Sequence, residues 1–84
     1  MKVKVLFFAS CKDITGQRET CIEIHAEMTV GEFKNRLLAK YPDLEGLNNV
    51  LSVAVNAEYT DNTTVLHDGD EVAFIPPVSG GINV

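Results

Sequence analysis

The most unusual stretch of this 84-residue sequence is its end, His67–Val84, which reads HDGDEVAFIPPVSGGINV. It contains a turn and a strand, then a proline pair, then a run of small residues with two adjacent glycines, Gly80 and Gly81. No residue from Val72 onward is charged. A carboxyl-terminal tail is normally polar and frays. A segment that is stiffened by two prolines and then narrows to Gly-Gly is suited to entering a narrow space.

The sequence has two thiols, Cys11 and Cys21. They are too few for a disulfide framework or a cysteine-ligated iron–sulfur cluster, so we interpret them as reduced cysteines. Cys11 would become reactive only if Lys12 lowered its pKa. The basic start and short apolar run of residues 1–13 could be a signal peptide. Their Lys-Val alternation favours a first strand instead, so we expect an uncleaved cytoplasmic protein.

The histidines and paired aspartates give weak evidence for a metal site. His25 and His67 have no companions at ligand spacing, and we interpret them as surface or loop residues. Asp68 and Asp70 lack the further oxygen ligands that a calcium or magnesium site needs, so a turn is the better interpretation. We therefore predict no metal site.

Length and charge exclude several classes of function. The chain is long enough for one small domain. Its net charge is −5 and its seven basic residues are scattered, which argues against nucleic acid or an anionic membrane as partner. No stretch reaches the roughly 18 to 20 apolar residues of a membrane helix. An acidic chain of this kind is compatible with docking onto a basic protein surface.

Periodic patterns predict an α+β domain. Strand patterns occur at residues 2–9, 19–25 and 51–55, in short pieces around Tyr59 and Val65, and at residues 71–75. Thr29 and Glu32 have capping-box spacing at the start of a helix that Pro42 ends. Its apolar stripe consists of Val30, Phe33, Leu37, Leu38 and Tyr41. Residues 43–49, which contain Gly46 and an asparagine pair, are predicted to be a connector.

The order of these elements is a hairpin, a helix and then further strands. With the last strand returning to the sheet centre, this order is what a β-grasp needs, although alternation alone does not fix the strand order. We predict a mixed β-sheet covered by one main helix. The domain would span residues 1–77, and residues 78–84 would form a flexible tail carrying the Gly-Gly pair.

The outer face of the predicted sheet suggests a docking surface. Phe8 points to the same side as Lys4, and Ile75 to the same side as Glu71. If the first and last strands are neighbours, Phe8 and Ile75 form one exposed apolar patch, which usually marks a partner site. With the exit segment, the expected partner-binding residues are Phe8, Tyr59, Ile75, Pro76, Pro77 and Val78.

Three blocks carry a resemblance to a known family: VKVLFFA…ITG from Val3 to Gly16, VAVN at Val53–Asn56, and DGDEVAFIPPVSGG at Asp68–Gly81. They resemble MoaD, the family of molybdopterin synthase small subunits within the ubiquitin-like sulfur carriers. The similarity runs over nearly the whole chain and implies a ubiquitin-like β-grasp. The related ThiS group, which serves thiazole synthesis, also ends in Gly-Gly, but the proline pair favours MoaD.

The resemblance implies chemistry at the α-carboxylate of Gly81, preceded by Gly80. A MoeB-like adenylating partner would use ATP to form an acyl-adenylate, and sulfur would replace AMP to leave a thiocarboxylate. The tail would then enter a MoaE-like large subunit, where sulfur passes to a cyclic pyranopterin precursor of molybdenum cofactor. Esterification to AMP makes a poor electrophile reactive, and glycine, without a Cβ, suits a tight channel. The chain itself would bind no cofactor and supply no catalytic side chain.

One departure from the family leaves alternatives open. The family ends at Gly-Gly, whereas Ile82, Asn83 and Val84 follow Gly81 here. A protease could trim the tail, the chain could be a variant that binds partners without carrying sulfur, or the chain's end could be wrongly assigned. A ThiS-like carrier and a ubiquitin-like binding module or protein modifier conjugated through Gly81 are the alternative functions.

Overall fold

The computed structural model describes residues 1–25, 27–47 and 49–77. In these ranges a five-stranded sheet is joined by short helices and one longer helix. The elements in chain order are β1 (Lys2–Phe7), α1 (Ser10–Thr15), β2 (Glu19–Glu23), α2 (Val30–Lys40), a 3₁₀ helix (Pro42–Leu47), β3 (Ser52–Val55), β4 (Glu58–Tyr59) and β5 (Glu71–Ile75).

The strand order of the sheet is β2-β1-β5-β3-β4. β1 pairs antiparallel with β2, as the hairpin prediction requires, and parallel with β5. β5 therefore lies at the centre, with β3 antiparallel on its other side. Asn56 and Ala57, with φ of 52° and 72°, form the two-residue turn into β4, and this is the primed geometry that suits a twisted hairpin. The mixed sheet with one main helix confirms the predicted α+β β-grasp.

The capping box at the start of α2 is present as predicted. The Glu32 amide donates to Thr29 Oγ1 at 3.2 Å, and the Thr29 amide donates to Glu32 Oε1 at 2.9 Å. The buried residues of α2 and of the sheet's inner face belong to one core: Val3, Val5, Phe7, Ile22, Val30, Phe33, Leu37, Leu38, Val53, Val55, Val72 and Phe74. Tyr41, predicted in the same stripe, is half-buried and packs edge-on against Phe7 at 5.5 Å between ring centroids. Helix α2 therefore covers the inner face and leaves the outer face open.

The chain reverses immediately after Phe8. β1 ends at Phe7, before the predicted end of the strand at residue 9, because Ala9 adopts φ 49° and ψ −123°. The Cys11 amide donates to the Phe8 carbonyl at 2.9 Å, which closes a type II′ turn in a position that normally takes glycine. Such a conformation costs a non-glycine residue about 1–3 kcal/mol. α1 then buries Cys11 and ends at Gly16, whose φ is 73°.

The segment after α2 is more regular than predicted. Residues 43–49 were predicted to be a connector, but most of them lie in the 3₁₀ helix, which buries Leu44 completely. The Leu44 amide donates to the Tyr41 carbonyl at 2.9 Å, so burial and hydrogen bonding both favour this turn. Val65 joins the fold through a single bridge to Thr29. Within the described ranges, no helix combines the length and apolar content that crossing a membrane requires.

Candidate functional site

A row of uncharged side chains crosses the outer face of the sheet. Leu6 of β1 is paired with Ala73 of β5, Ala73 with Ala54 of β3, and Ala54 with Tyr59 of β4. Leu6, Ala54 and Ala73 alternate with core residues on their strands, so they share the face opposite α2. Tyr59 lies on the same face because it pairs with Ala54. Ala54 and Ala73 are small and buried, while Tyr59 is 73% exposed. The row therefore has a flat centre and an aromatic ring at one end.

Phe8 and Ile75 extend this row toward the carboxyl ends of β1 and β5. Phe7 is paired with Phe74, and the Phe8 amide donates to the Phe74 carbonyl at 3.4 Å. Phe8 and Ile75 therefore come directly after the paired residues Phe7 and Phe74, which lie on neighbouring parallel strands. Phe8 is 46% exposed and Ile75 is half-buried. We call Leu6, Phe8, Ala54, Tyr59, Ala73 and Ile75 the docking face.

The tail leaves the domain beside this docking face. Pro76 directly follows β5 and is buried, whereas Pro77 is exposed. Of the two predicted exit residues, only Pro77 is thus available to a partner in the isolated chain. Val78, Gly80 and Gly81, which were also predicted as site residues, lie outside the described residues.

Charged residues occupy the other half of the outer face. Lys4 Nζ lies 3.6 Å from the Glu19 carboxylate and 4.0 Å from the Glu71 carboxylate. The lysine and the two glutamates are all solvent-exposed or partly exposed, so these pairs add little to stability. One cation lies between two anions on adjacent strands, so these three residues together carry a net charge of −1.

The paired aspartates hold the turn before β5. Asp68 Oδ1 accepts from the Lys2 amide at 2.8 Å. Asp70 accepts from the His67 amide at 2.8 Å and from the Asn56 side chain at 3.0 Å. These hydrogen bonds support the interpretation of both aspartates as turn residues, since their oxygens are used by the protein itself. No group of three or more potential metal-ligating side chains occurs among the described residues.

The two thiols differ in accessibility. Cys11 is completely buried in α1, and burial raises the pKa of its thiol. The alternative in which Lys12 activates Cys11 is therefore wrong, because desolvation disfavours the thiolate. Cys21 lies on the exposed side of β2. His25 and His67 are both exposed, as predicted.

Sequence reasoning missed part of the docking face. Phe8, Tyr59 and Ile75 were predicted, and the structure places all three on the outer face. Leu6, Ala54 and Ala73 connect them but were not singled out. Their alternation with core residues was visible in the sequence. Their alignment into one row depends on strand register, which alternation does not give.

Comparison with known proteins gives the family. The model of the ThiS family matches residues 5–81, which is most of the chain. This chain belongs to the ThiS family. A relative from Mycobacterium tuberculosis, named molybdopterin synthase sulfur carrier subunit, is 40% identical over 83 residues, covering 96% of this chain and 99% of the relative. The family assignment agrees with the ubiquitin-like β-grasp predicted from the sequence blocks.

Two solved structures share this ThiS-family fold. SAMP1 from Haloferax volcanii superposes with a TM-score of 0.85 at 28% identity, covering 96% of this chain and all of the other. A chain from the protein–protein complex of subunits 1 and 2 of the Helicobacter pylori molybdopterin-converting factor gives a TM-score of 0.71 at 30% identity, covering 96% of this chain and all of that one. The second match shows that a structural relative forms a complex between two subunits.

Proposed function

We propose that this chain is the sulfur-carrier small subunit of a molybdopterin synthase. The observation that carries the proposal is the position of the exit: Phe8 and Ile75 lie at the end of the sheet from which Pro77 leads into the tail. A large subunit that covers the docking face therefore lies next to the tail and can receive it. Relatives of this name, which match over nearly the whole chain, support the same function.

The reactive group in this proposal is the main-chain carboxylate of Gly81. A carboxylate oxygen attacks the α-phosphorus of ATP, and pyrophosphate leaves. A sulfur donor then attacks the acyl carbon and AMP leaves, so one oxygen is exchanged for sulfur. The thiocarboxylate sulfur then attacks a carbon of a cyclic pyranopterin precursor and displaces an oxygen leaving group. Water cleaves the resulting thioester, which leaves the sulfur on the precursor and restores the Gly81 carboxylate. The residues after Gly81 must be removed first, because a peptide bond leaves Gly81 without a free carboxylate.

The reach of the tail fits delivery into a buried site of a partner. Pro76 is buried in the domain and anchors the segment. Six residues from Pro76 to Gly81 span at most about 20 Å. Prolines limit the conformations open to the segment before binding, which lowers the entropy cost of inserting it. In this proposal the docking face contributes the binding affinity for the large subunit, and the tail carries the reacting carboxylate.

Two further proteins take part in the proposed reaction, one to activate the Gly81 carboxylate and one to receive its sulfur. A MoeB-like adenylating enzyme consumes the ATP, and a MoaE-like large subunit binds the precursor and supplies any general acid or base. In this proposal the carrier needs no cofactor of its own. We place the reaction in the cytoplasm, where thiols such as Cys11 and Cys21 stay reduced.

Intact mass tests the proposal directly. Two forms of the chain, ending at Gly81 and at Val84, are incubated with ATP, a MoeB-like enzyme and a sulfide source. The form ending at Gly81 should gain about 16 Da, the oxygen-to-sulfur difference. Adding the large subunit and the precursor should reverse that gain. A form ending at Gly81 that gains no mass contradicts the proposal.

A matched variant separates tail chemistry from folding. Gly81→Ala in the form ending at position 81 should abolish sulfur transfer and leave the thermal unfolding midpoint unchanged, because the chemistry depends on the tail and the fold does not. Loss of folded structure in this variant would contradict a tail outside the core. Intact mass of the protein purified from its own cells then tells whether Ile82, Asn83 and Val84 are removed.

A second function, protein modification, is favoured by the match to SAMP1, whose name in full is small archaeal modifier protein 1. A modifier would use the same activated Gly81 carboxyl but transfer it to a lysine amine. Isopeptide adducts carrying the Gly81 end on other cellular proteins would support this function. A third possibility, a carrier for thiazole synthesis, would be supported by sulfur loading without binding to a molybdopterin synthase large subunit.

A further inference from the structure

An open recess of about 360 Å³ lies beside the docking face, at the carboxyl end of β1. Its walls are Leu6, Phe7, Phe8, Ala9, Lys12, Arg18 and Glu19. The recess therefore lies between the start of β2 and the turn into α1. It shares Leu6 and Phe8 with the docking face, so a partner seated on that face also covers the recess.

The rim of the recess is basic in a chain that is acidic overall. Lys12 and Arg18 are both exposed, and neither forms an ion pair with any residue in the described ranges. These two cations outnumber the one carboxylate of the rim, that of Glu19, which also lies 3.6 Å from Lys4 Nζ. The local charge is thus positive around an apolar floor. Such a site is complementary to an apolar side chain that has carboxylates next to it.

The turn at Ala9 fixes the shape of this recess. Ala9 holds φ 49°, a value that side-chain-bearing residues rarely adopt, and its turn is closed by the Cys11 amide at 2.9 Å from the Phe8 carbonyl. Backbone strain of this kind persists only where the surroundings enforce it, and it is concentrated at functional sites. Here the strained turn leaves the Phe8 ring at the edge of the recess and α1 on the other side.

We propose that the recess receives an apolar side chain of the large subunit whose neighbouring carboxylates pair with Lys12 and Arg18. This inference rests on the proposed function, because it assumes a large-subunit partner. Continuity with the docking face and the two exposed rim cations, which form no ion pair within the described residues, are the observations that carry it. The chain would then use apolar contacts for affinity and this basic rim to set the orientation of the partner, since complementary charges fix register more than they add affinity.

Charge reversal tests the rim. The double variant Lys12→Glu with Arg18→Glu is compared with Arg36→Glu with Lys40→Glu, which changes the net charge equally but lies on exposed positions of α2. Calorimetric titration with the large subunit should show a loss of affinity of about tenfold or more for the rim variant at low salt, shrinking as salt is raised. The α2 variant should stay within about twofold. Thermal unfolding of both variants checks that they are folded.

Cross-linking tests the contact itself. A carbodiimide joins an amine only to a carboxylate that touches it, so Lys12 in the complex should give a zero-length cross-link to an aspartate or glutamate of the large subunit, mapped by mass spectrometry. Lys12→Arg removes the amine but keeps the charge, so it should lose the cross-link and keep the affinity.

The outcomes separate this inference from the proposed function. If the unsubstituted chain does not bind the large subunit, the proposed function fails. If it binds but the rim variant binds as tightly as the α2 variant and Lys12 gives no cross-link, only the inference fails. If the rim variant binds the large subunit normally but is no longer adenylated, the recess belongs to the activating enzyme and the inference is overturned.

Discussion

Two adjacent phenylalanines should have opposite effects on stability and binding. Phe7 is 1% exposed, and its ring contacts those of Tyr41 and Phe74 at centroid distances of 5.5 and 6.5 Å. Phe8, the next residue, is 46% exposed on the docking face. Phe7→Ala should therefore damage the core, whereas Phe8→Ala should damage the partner surface. Each variant is the matched control for the other.

The expected sizes follow from burial. Phe-to-Ala changes in a core cost about 3–5 kcal/mol, against a total stability of about 4–13 kcal/mol for a domain of 84 residues. Phe7→Ala should thus lower the unfolding midpoint by at least about 12 °C or unfold the chain. Full burial of a Phe stabilises by about 1.5–3 kcal/mol. Because Phe8 is close to half-exposed, Phe8→Ala should cost only about 1 kcal/mol, or about 4–8 °C.

Binding should show the reverse order among folded variants. Phe8→Ala should weaken affinity for the large subunit about ten- to thirtyfold, the effect of removing an interface anchor worth about 1.4–2 kcal/mol. Thermal unfolding followed by circular dichroism and calorimetric titration measure the two effects. The reasoning is refuted if Phe8→Ala unfolds as readily as Phe7→Ala, or if it is folded and binds with unchanged affinity.

Three further predictions concern stability and reactivity. Gly31→Ala should lower the unfolding midpoint by roughly 4–8 °C in a thermal scan. The new alanine Cβ would lie 3.0 Å from the Cβ of Asn62 and 3.3 Å from the carbonyl oxygen of Asn62, which is too close without a shift of the loop. The helix-propensity gain of about 1 kcal/mol should not offset this, since that carbonyl also accepts from the Gly31 amide at 3.0 Å and holds the loop in place. Hydrogen bonds from the Thr63 hydroxyl and amide lower the pKa of Asp61. The Asp61 carboxylate should therefore stabilise the fold at any pH above the ordinary aspartate pKa of about 3.9. In thermal unfolding scans, the difference in midpoint between the unsubstituted chain and Asp61→Ala should disappear as pH falls through the lowered pKa. Iodoacetamide should label exposed Cys21 in the native protein and buried Cys11 only in denaturant, as read by peptide mass; labelling of both thiols at equal rates would contradict the burial of Cys11.

Most of the secondary structure was predictable because local patterns agree with the fold. The Thr29–Glu32 capping box, the stripe of α2 and the alternation in β1 and β5 appear in the structure where the sequence placed them. The structure differs from the prediction mainly where a single backbone conformation or a single buried residue determines the local secondary structure. Ala9 ends β1 early through a positive φ that alanine gives no reason to expect, and Leu44 draws a predicted connector into a 3₁₀ helix.

The candidate site was predictable only in part. Exposed aromatics stand out in a sequence, so Phe8 and Tyr59 were identified before their surroundings were known. The alanines between them were not, because a small residue is informative only when its neighbours are known. The recess was equally hidden, since Lys12 lies in α1 and Arg18 in the loop before β2, and both look like ordinary surface charges in the sequence.

The sequence by itself determined which residues of the main helix and of the first and last strands face the core, where the main helix begins and that an uncharged Gly-Gly segment follows the last strand. These properties depend on periods of 2 and 3.6 residues and on capping and proline chemistry, all of which act over a few neighbouring positions. Only the tertiary structure decided that β5 lies beside β1, that Leu6, Ala73, Ala54 and Tyr59 align in one row, and that β5 ends next to Phe8. Register and strand order depend on contacts between residues far apart in the chain, and many pairings are compatible with the same local pattern.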